Sequence, residues 1–170
     1  MKKSVLITGV PGTGKTTLSR KLTEMGYKSY DIEGIPGLFA AADRKTKQSV
    51  KDHDGTDFKY WVCDKVKLAS LIAGESSPIT FYCGAASNLD EIMPLFDLVI
   101  LLTVSPETMR QRLVSRTNND FGRTAEVQDW IVSWKDSWEA MIKKNATVVI
   151  STDKGIEHVA EEIIKEGAKF

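Results

Sequence analysis

Eight residues near the start, Gly9-Val10-Pro11-Gly12-Thr13-Gly14-Lys15-Thr16, limit more than any others what this chain can fold into. Glycines at 9, 12 and 14 suit neither a strand interior nor a helix interior, so the backbone has to turn tightly there. Ahead of them Ser4 to Thr8 is a β-branched apolar run, and behind them Lys15 to about Met25 reads as a helix. A turn of this kind between strand and helix points successive N–H groups inward as an anion nest, to which the helix adds its positive N-terminal end. The spacing G-x-x-x-x-G-K-[ST] then sets an ammonium, Lys15, on the anion and a hydroxyl, Thr16, beside it. Phosphates of ATP or a close relative match that charge. Lys15 would meet the β- and γ-phosphates, and Thr16 is placed to ligate Mg²⁺. The expected nucleotide-binding residues are Gly9, Pro11, Gly12, Thr13, Gly14, Lys15, Thr16 and Thr17.

Strand-like and helix-like stretches alternate along the rest of the chain, the pattern of an α/β domain with a largely parallel sheet. Gly26 closes the first helix, and Tyr27 to Glu33 reads as a second strand. Gly34 to about Ala42 reads as a short helix or turn. Lys45 to Lys59, which holds Asp52-His53-Asp54-Gly55, reads as a mobile excursion. A helix is expected from about Phe58 to Ala73, with Trp61, Val62, Val66, Leu68, Ala69 and Ile72 on or near one face. Ile79 to Cys83 is a third strand, Leu89 to Leu95 a short helical link, and Asp97 to Val104 a fourth strand. Ser105-Pro106-Glu107 combines a capping serine, a proline at the first helical position and an acid in the first turn, and starts a helix running to about Arg116. The next helix starts near Thr124 and carries Trp130, Trp134 and Trp138, four apart, which read as a core-facing stripe. Thr147 to Ser151 is the last strand. Ile156 to Lys165 is the last helix, apolar on one face.

Composition removes several classes. Twenty-three basic residues balance twenty-three acidic ones, so no net field draws the chain to nucleic acid or a membrane. The longest apolar runs, such as Leu98 to Val104, are too short to cross a bilayer. Cys63 and Cys83 lie far apart without metal-ligand spacing and read as free thiols in a reducing compartment. Met1-Lys2-Lys3 runs directly into the first strand, so no signal peptide is expected and the expected location is cytoplasmic. A length of 170 residues suits a single domain, 1–170.

The G-x-P-G-T-G-K-T form, with an amphipathic helix behind it, resembles the P-loop kinases of the nucleoside monophosphate kinase group, which includes adenylate, shikimate and gluconate kinases. The resemblance covers nearly the whole chain. It implies a three-layer P-loop NTPase fold, a parallel five-stranded sheet flanked by helices, with an acceptor-binding insert at about 34–60 and a short lid at about 116–124. It also implies ATP- and Mg²⁺-dependent transfer of a γ-phosphoryl group to a small-molecule acceptor, as in shikimate and gluconate kinases. Alternatives are an adenylate-type kinase, whose acceptor is itself a nucleotide, and a nucleotide-dependent binding module with weak ATPase activity. An AAA+ motor is not expected, because this length leaves no room for its usual extra helical domain. No nucleic-acid or membrane partner is implied, and the protein is expected as a monomer or homodimer.

Residue by residue, Arg112-Leu113-Val114-Ser115-Arg116 resembles the R-x-x-x-R segment that leads into the adenylate kinase lid. By that resemblance Arg112 would lie against the adenine and Arg116 would reach the transferring phosphoryl group. A guanidinium suits the second task because its planar fork pairs with two oxygens at once. Arg123, at the end of the polar stretch from Asn118, is a second phosphate-contact candidate, and Arg110 reads as surface. Asp31-Ile32-Glu33 resembles the D-x-D of shikimate and gluconate kinases, with Glu33 in place of the second aspartate. On a strand the two carboxylates would share one face. Asp31 is the expected base for an acceptor hydroxyl, or a Mg²⁺ contact beside Thr16. Cys83-Gly84 departs from the Asp-Gly that many of these kinases carry, which leaves the metal shell to Thr16 and Asp31. Arg44, Lys45 and Lys47 either grip an anionic acceptor or form a solvated run. Ser151 to Gly155 stands where related kinases wrap the adenine. His53 and His158 are assigned no chemistry.

Overall fold

The apolar run that opens the chain becomes the central strand of a parallel sheet. In this computed structural model, which describes residues 2–51, 58–117 and 119–169, β1 is Lys3–Thr8, β2 Lys28–Asp31, β3 Phe39–Ala41 and β4 Trp61–Cys63. Strands β5 (Ile79–Cys83), β6 (Leu98–Thr103) and β7 (Val148–Ser151) follow. The helices are α1 (Lys15–Glu24), α2 (Lys65–Gly74), α3 (Leu89–Ile92), α4 (Pro106–Ser115), α5 (Ala125–Lys143) and α6 (Ile156–Ala168). The main sheet has the order β2-β5-β1-β6-β7, with parallel pairing throughout.

Strand periodicity of two divides β1 between two cores. Val5 and Ile7 join Leu18, Leu22, Val159, Ala160 and Ile163 under α1 and α6. Leu6 points the other way, into a core with Leu68, Leu89, Ile92 and Ile142 from α2, α3 and α5. A third cluster, Val10, Val104, Met109, Leu113 and Ile131, lies beyond the strand ends and packs α4 and α5 together. Because β5 flanks β1 on one side and β6 on the other, the winding reverses at the C-terminal end of β1. That is where open α/β sheets leave a crevice for ligands.

Four expectations are corrected. The second strand stops at Asp31, and Ile32–Gly34 is a 3-10 turn, so Asp31 and Glu33 do not owe their positions to one strand face. Gly34 to Ala42 yields a strand, β3, which pairs antiparallel with β4. The helix expected from Phe58 starts only at Lys65: Asp64 caps it by accepting the N–H groups of Val66 and Lys67 at 3.0 Å each. The apolar spacing ran unbroken through Asp64, so Trp61 and Val62 passed for helix when they are strand. Helix α4, by contrast, ends at Ser115 as expected, and its cap Arg116 is in extended backbone with φ −65° and ψ 145°. In the insert, Asp43 N–H bonds Gln48 O at 2.8 Å and Val50 N–H bonds Ala41 O at 3.0 Å, so its first part is an ordered turn. Asp52 to Gly55, including His53, and the lid residue Asn118 lie outside the described residues. Among the described residues no helix is long and apolar enough to cross a membrane.

Asp64→Ala should lower stability by about 1 kcal/mol, the usual worth of an N-cap. Denaturant unfolding would show it as a lower midpoint with an unchanged slope.

Candidate active site

The turn after β1 folds as its glycines dictate. Gly12 and Gly14 hold φ of +86° and +89°, left-handed values that other residues adopt only with strain. At Gly9 a Cβ would stand 2.7 Å from Thr13 Oγ1 and 2.8 Å from Leu102 O. Thr13 ties the turn by donating its hydroxyl to Val10 O at 2.8 Å. The Lys15 ammonium donates to Gly9 O at 2.7 Å and Val10 O at 3.3 Å. Burial pushes its pKa below the usual lysine range, Glu33 and Asp31 oppose that, and Arg116 adds to it. Every residue from Gly9 to Thr17 lines one cleft of about 770 Å³ at the C-terminal end of the sheet.

The arginines separate. Arg112 is clasped between the loop and the segment after β7: its Nη1 donates to Thr152 Oγ1 at 2.9 Å and Gly12 O at 3.3 Å, and its Nη2 to Thr152 O. Asp153 secures that segment to α4 by accepting the Ser105 hydroxyl at 2.8 Å and backbone N–H at 3.1 Å. Burial alone would raise the Asp153 carboxyl, but these bonds hold it down at about 2. Arg116 is half-buried in the cleft and donates to Asn119 Oδ1 at 2.9 Å and Phe121 O at 3.3 Å. Burial lowers its pKa, Glu33 opposes that, and Arg123 adds to it. Arg123 is exposed and does not line the cleft. It pairs with Asp120 at 3.0 Å and donates to Arg116 O. Arg110 pairs with Asp129 on the surface.

Across from Lys15, Glu33 is the better fixed of the two acids. It accepts Trp61 Nε1–H at 3.0 Å and Ala85 N–H at 2.8 Å. Asp31 also lines the cleft, at the last register position of β2 opposite Cys83. The Cys83 thiol turns away into the α1–α6 core, and burial pushes it up to about 12, so it stays a neutral thiol. Arg44 bonds Asp90, Glu91 and Ser87 O, Lys47 bonds Glu91, and neither they nor Lys45 line the cleft.

The tryptophan stripe faces a core cluster as expected, and it also meets the cleft. Trp130, Trp134 and Trp138 pack on the α4–α5 cluster, yet all three also line the cleft, with Phe58 and Trp61. Phe58 stacks on Trp134 at 6.1 Å between ring centroids, and Trp130 meets Trp134 edge-on at 5.4 Å. Spacing by four reports that the rings share a face, not which neighbour that face meets. Arg20 and Lys154, which the sequence did not single out, line the cleft too.

Thr16 at the first turn of α1 and the carboxylates of Asp31 and Glu33 fit a small hard cation shared with phosphate oxygens. Among the described residues no group of three or more acids, histidines or cysteines could hold a metal alone. An ion would therefore arrive with the nucleotide.

Comparison with known proteins gives the same frame. The model of a family described as AAA domain matches residues 5–133. A dephospho-CoA kinase from Rhodopseudomonas palustris is 24% identical over 201 residues, covering 96% of this chain and 95% of that protein. The solved structure of shikimate kinase from Acinetobacter baumannii in complex with shikimate matches with a TM-score of 0.67 at 16% identity, over 98% of this chain and 93% of that one. A deoxyadenosine kinase structure from M. mycoides matches with a TM-score of 0.57 at 17% identity, over 98% of this chain and 100% of that one. The expected five-stranded parallel fold is thereby borne out.

Removing the ammonium with Lys15→Ala should weaken binding of a labelled nucleoside triphosphate by about 10- to 100-fold, the range for a charge-assisted hydrogen bond. Direct titration measures it. The Asp153 carboxylate lies below its unfolded value near 4, so the stability it supplies is complete above that pH and is lost as pH falls toward 2. Asp153→Asn should flatten this part of the acid unfolding curve.

Proposed function

We propose, from the premise that this chain belongs to the AAA-domain family, that it is an ATP- and Mg²⁺-dependent phosphotransferase moving the γ-phosphoryl group to a small-molecule acceptor. One observation carries this reading. The phosphate loop does not stand alone: Lys15 lies close enough to Glu33 and Asp31, and Arg116 to Glu33, for their charges to interact, in one cleft of about 770 Å³. A protein that only held a nucleotide would have no need of two acids opposite the outer phosphates.

Phosphoryl transfer requires placement and charge compensation more than covalent chemistry. In this reading the loop amides cradle the phosphates while Lys15 and Arg116 offset charge on the migrating group. Arg112, fixed by Thr152, holds the base side of the nucleotide against the segment after β7. Asp31 accepts the proton of the acceptor hydroxyl, and Glu33 orients the acceptor from its hydrogen-bonded seat. Thr16, joined by Asp31 only where that residue is not the base, would hold Mg²⁺, which would supply charge neutralisation to the phosphates. Arg123 would contribute only by leaving Asp120 and turning inward when the lid shuts over the nucleotide.

A nucleotide-dependent binding module is the second reading, and Cys83 favours it. A buried neutral thiol stands at the position for which the kinase resemblance implies a metal-binding aspartate.

ADP release with ATP and a panel of hydroxyl-bearing acceptors decides between them. Release that rises at least tenfold with one acceptor supports the kinase, whereas the same slow release with every acceptor supports the module. With the active acceptor, Arg116→Ala should lower kcat by about 10³-fold, the lower end for an arginine at the transferring phosphoryl group.

A further inference from the structure

Within the cleft, charge and aromaticity are segregated. The cations lining it are Lys15, Arg20, Arg112, Arg116 and Lys154, all from the loop and α1, the end of α4, or the segment after β7. These are the walls that hold the triphosphate. A second wall is formed by Phe58, Trp130, Trp134 and Trp138, joined by ring contacts, together with Trp61 and the carboxylate it bonds, Glu33. None of the insert's Lys or Arg side chains among the described residues reaches it, and residues 52–57, Asp-His-Asp-Gly-Thr-Asp, contain no Lys or Arg. An acceptor bearing a carboxylate or phosphate would therefore meet indole rings and an acid, and Arg116, the guanidinium that interacts with that acid, already bonds Asn119 Oδ1 and Phe121 O.

The same wall has one hydrogen-bonding group to offer. Trp134 Nε1 is closed off even from water, so Trp134 presents its ring and the hydrogen-bond acceptor on this wall is the Glu33 carboxylate. Glu33 uses each oxygen once, for Trp61 and for Ala85, and a carboxylate has further lone pairs free for a donor. A carboxylate acceptor beside aromatic faces suits the amino or ring N–H edge of a nucleobase. A cationic acceptor fits less well, because Glu33 already interacts with Lys15 and Arg116.

Resting on the phosphotransferase reading above, we propose that the acceptor is a nucleoside: an uncharged compound whose flat heteroaromatic ring sits against this aromatic wall while its sugar hydroxyl points at Lys15 and Asp31. In the transfer, the hydroxyl oxygen bonds the γ-phosphorus as the bond from that phosphorus to the β–γ bridging oxygen breaks. The hydroxyl proton passes to Asp31. The products are ADP, a nucleoside monophosphate and one proton released to solvent.

The chain has four tryptophans, and all four line this cleft, so intrinsic fluorescence is a direct probe of it. The full chain would be titrated with purine and pyrimidine ribo- and deoxynucleosides, with shikimate, gluconate and nucleoside monophosphates, and with choline. Excitation at the red edge of the indole band avoids nucleoside absorption. Saturable quenching by at least one nucleoside, and by none of the others at equal concentration, is expected. Phe58→Ala and Phe58→Leu, which remove the ring, should each weaken that binding about 10-fold, as base–aromatic stacking implies. The triphosphate titration on each variant shows that it is folded. Quenching by a nucleoside without ADP release would sustain the assignment of ligand class while ending the kinase reading. Turnover with a carboxylate or phosphorylated acceptor, binding of choline, or no nucleoside response at all would overturn the proposal.

Discussion

An ammonium group buried at the end of a parallel sheet is costly unless oxygen atoms surround it, and the arrangement about Lys15 is organised by that requirement. Two carbonyls of its own loop, Gly9 and Val10, accept from it. Two carboxylates, Asp31 and Glu33, stand across the cleft and favour its charged form against burial. Arg116 enters the same field with the opposite sign, and Glu33 steadies it as well. The three elements that meet here, the β1–α1 turn, the end of β2 and the end of α4, are far apart in sequence. The sheet order sets them side by side.

The cleft is stiff on one side and open on the other. On the nucleotide side, Arg112 fastens the phosphate loop to Thr152, and Asp153 fastens that segment to Ser105. The loop is thus held from outside as well as by its glycines, which limits the reorganisation a bound triphosphate would require. On the other side the lining comes from Phe58, from Trp61 of β4 and from the tryptophan face of α5. Tryptophans supply large contact area with few rotatable bonds. Trp61 also links the two sides, since its indole N–H holds Glu33 in place.

How much of this was legible can be judged from particular residues. The strand–turn–helix with its glycine spacing, the serine and proline that start α4, and the apolar stripe of α6 each state their structure locally, and all were recovered. The β4–α2 boundary was not, because Asp64 interrupts an apolar pattern that otherwise continues, and a capping aspartate resembles a solvent-facing helical one. Arg112 and Arg116 both line the cleft, yet the helix ends between them and their partners differ: the segment after β7 for one, residues 119 and 121 for the other. Arg123 looked equivalent in sequence and is turned outward toward Asp120.

By itself the sequence determined the anion-binding turn and the parallel order it belongs to, because glycine conformations, helix caps and period-two burial are local properties of the chain. Tertiary structure alone decided which side chains share the cleft. Glu33 reaches it through a 3-10 turn, and the tryptophans of α5 line it while also packing on the α4–α5 cluster. Spacing along a helix fixes which residues point together. Only the packing of other elements decides whether they point at core or at ligand.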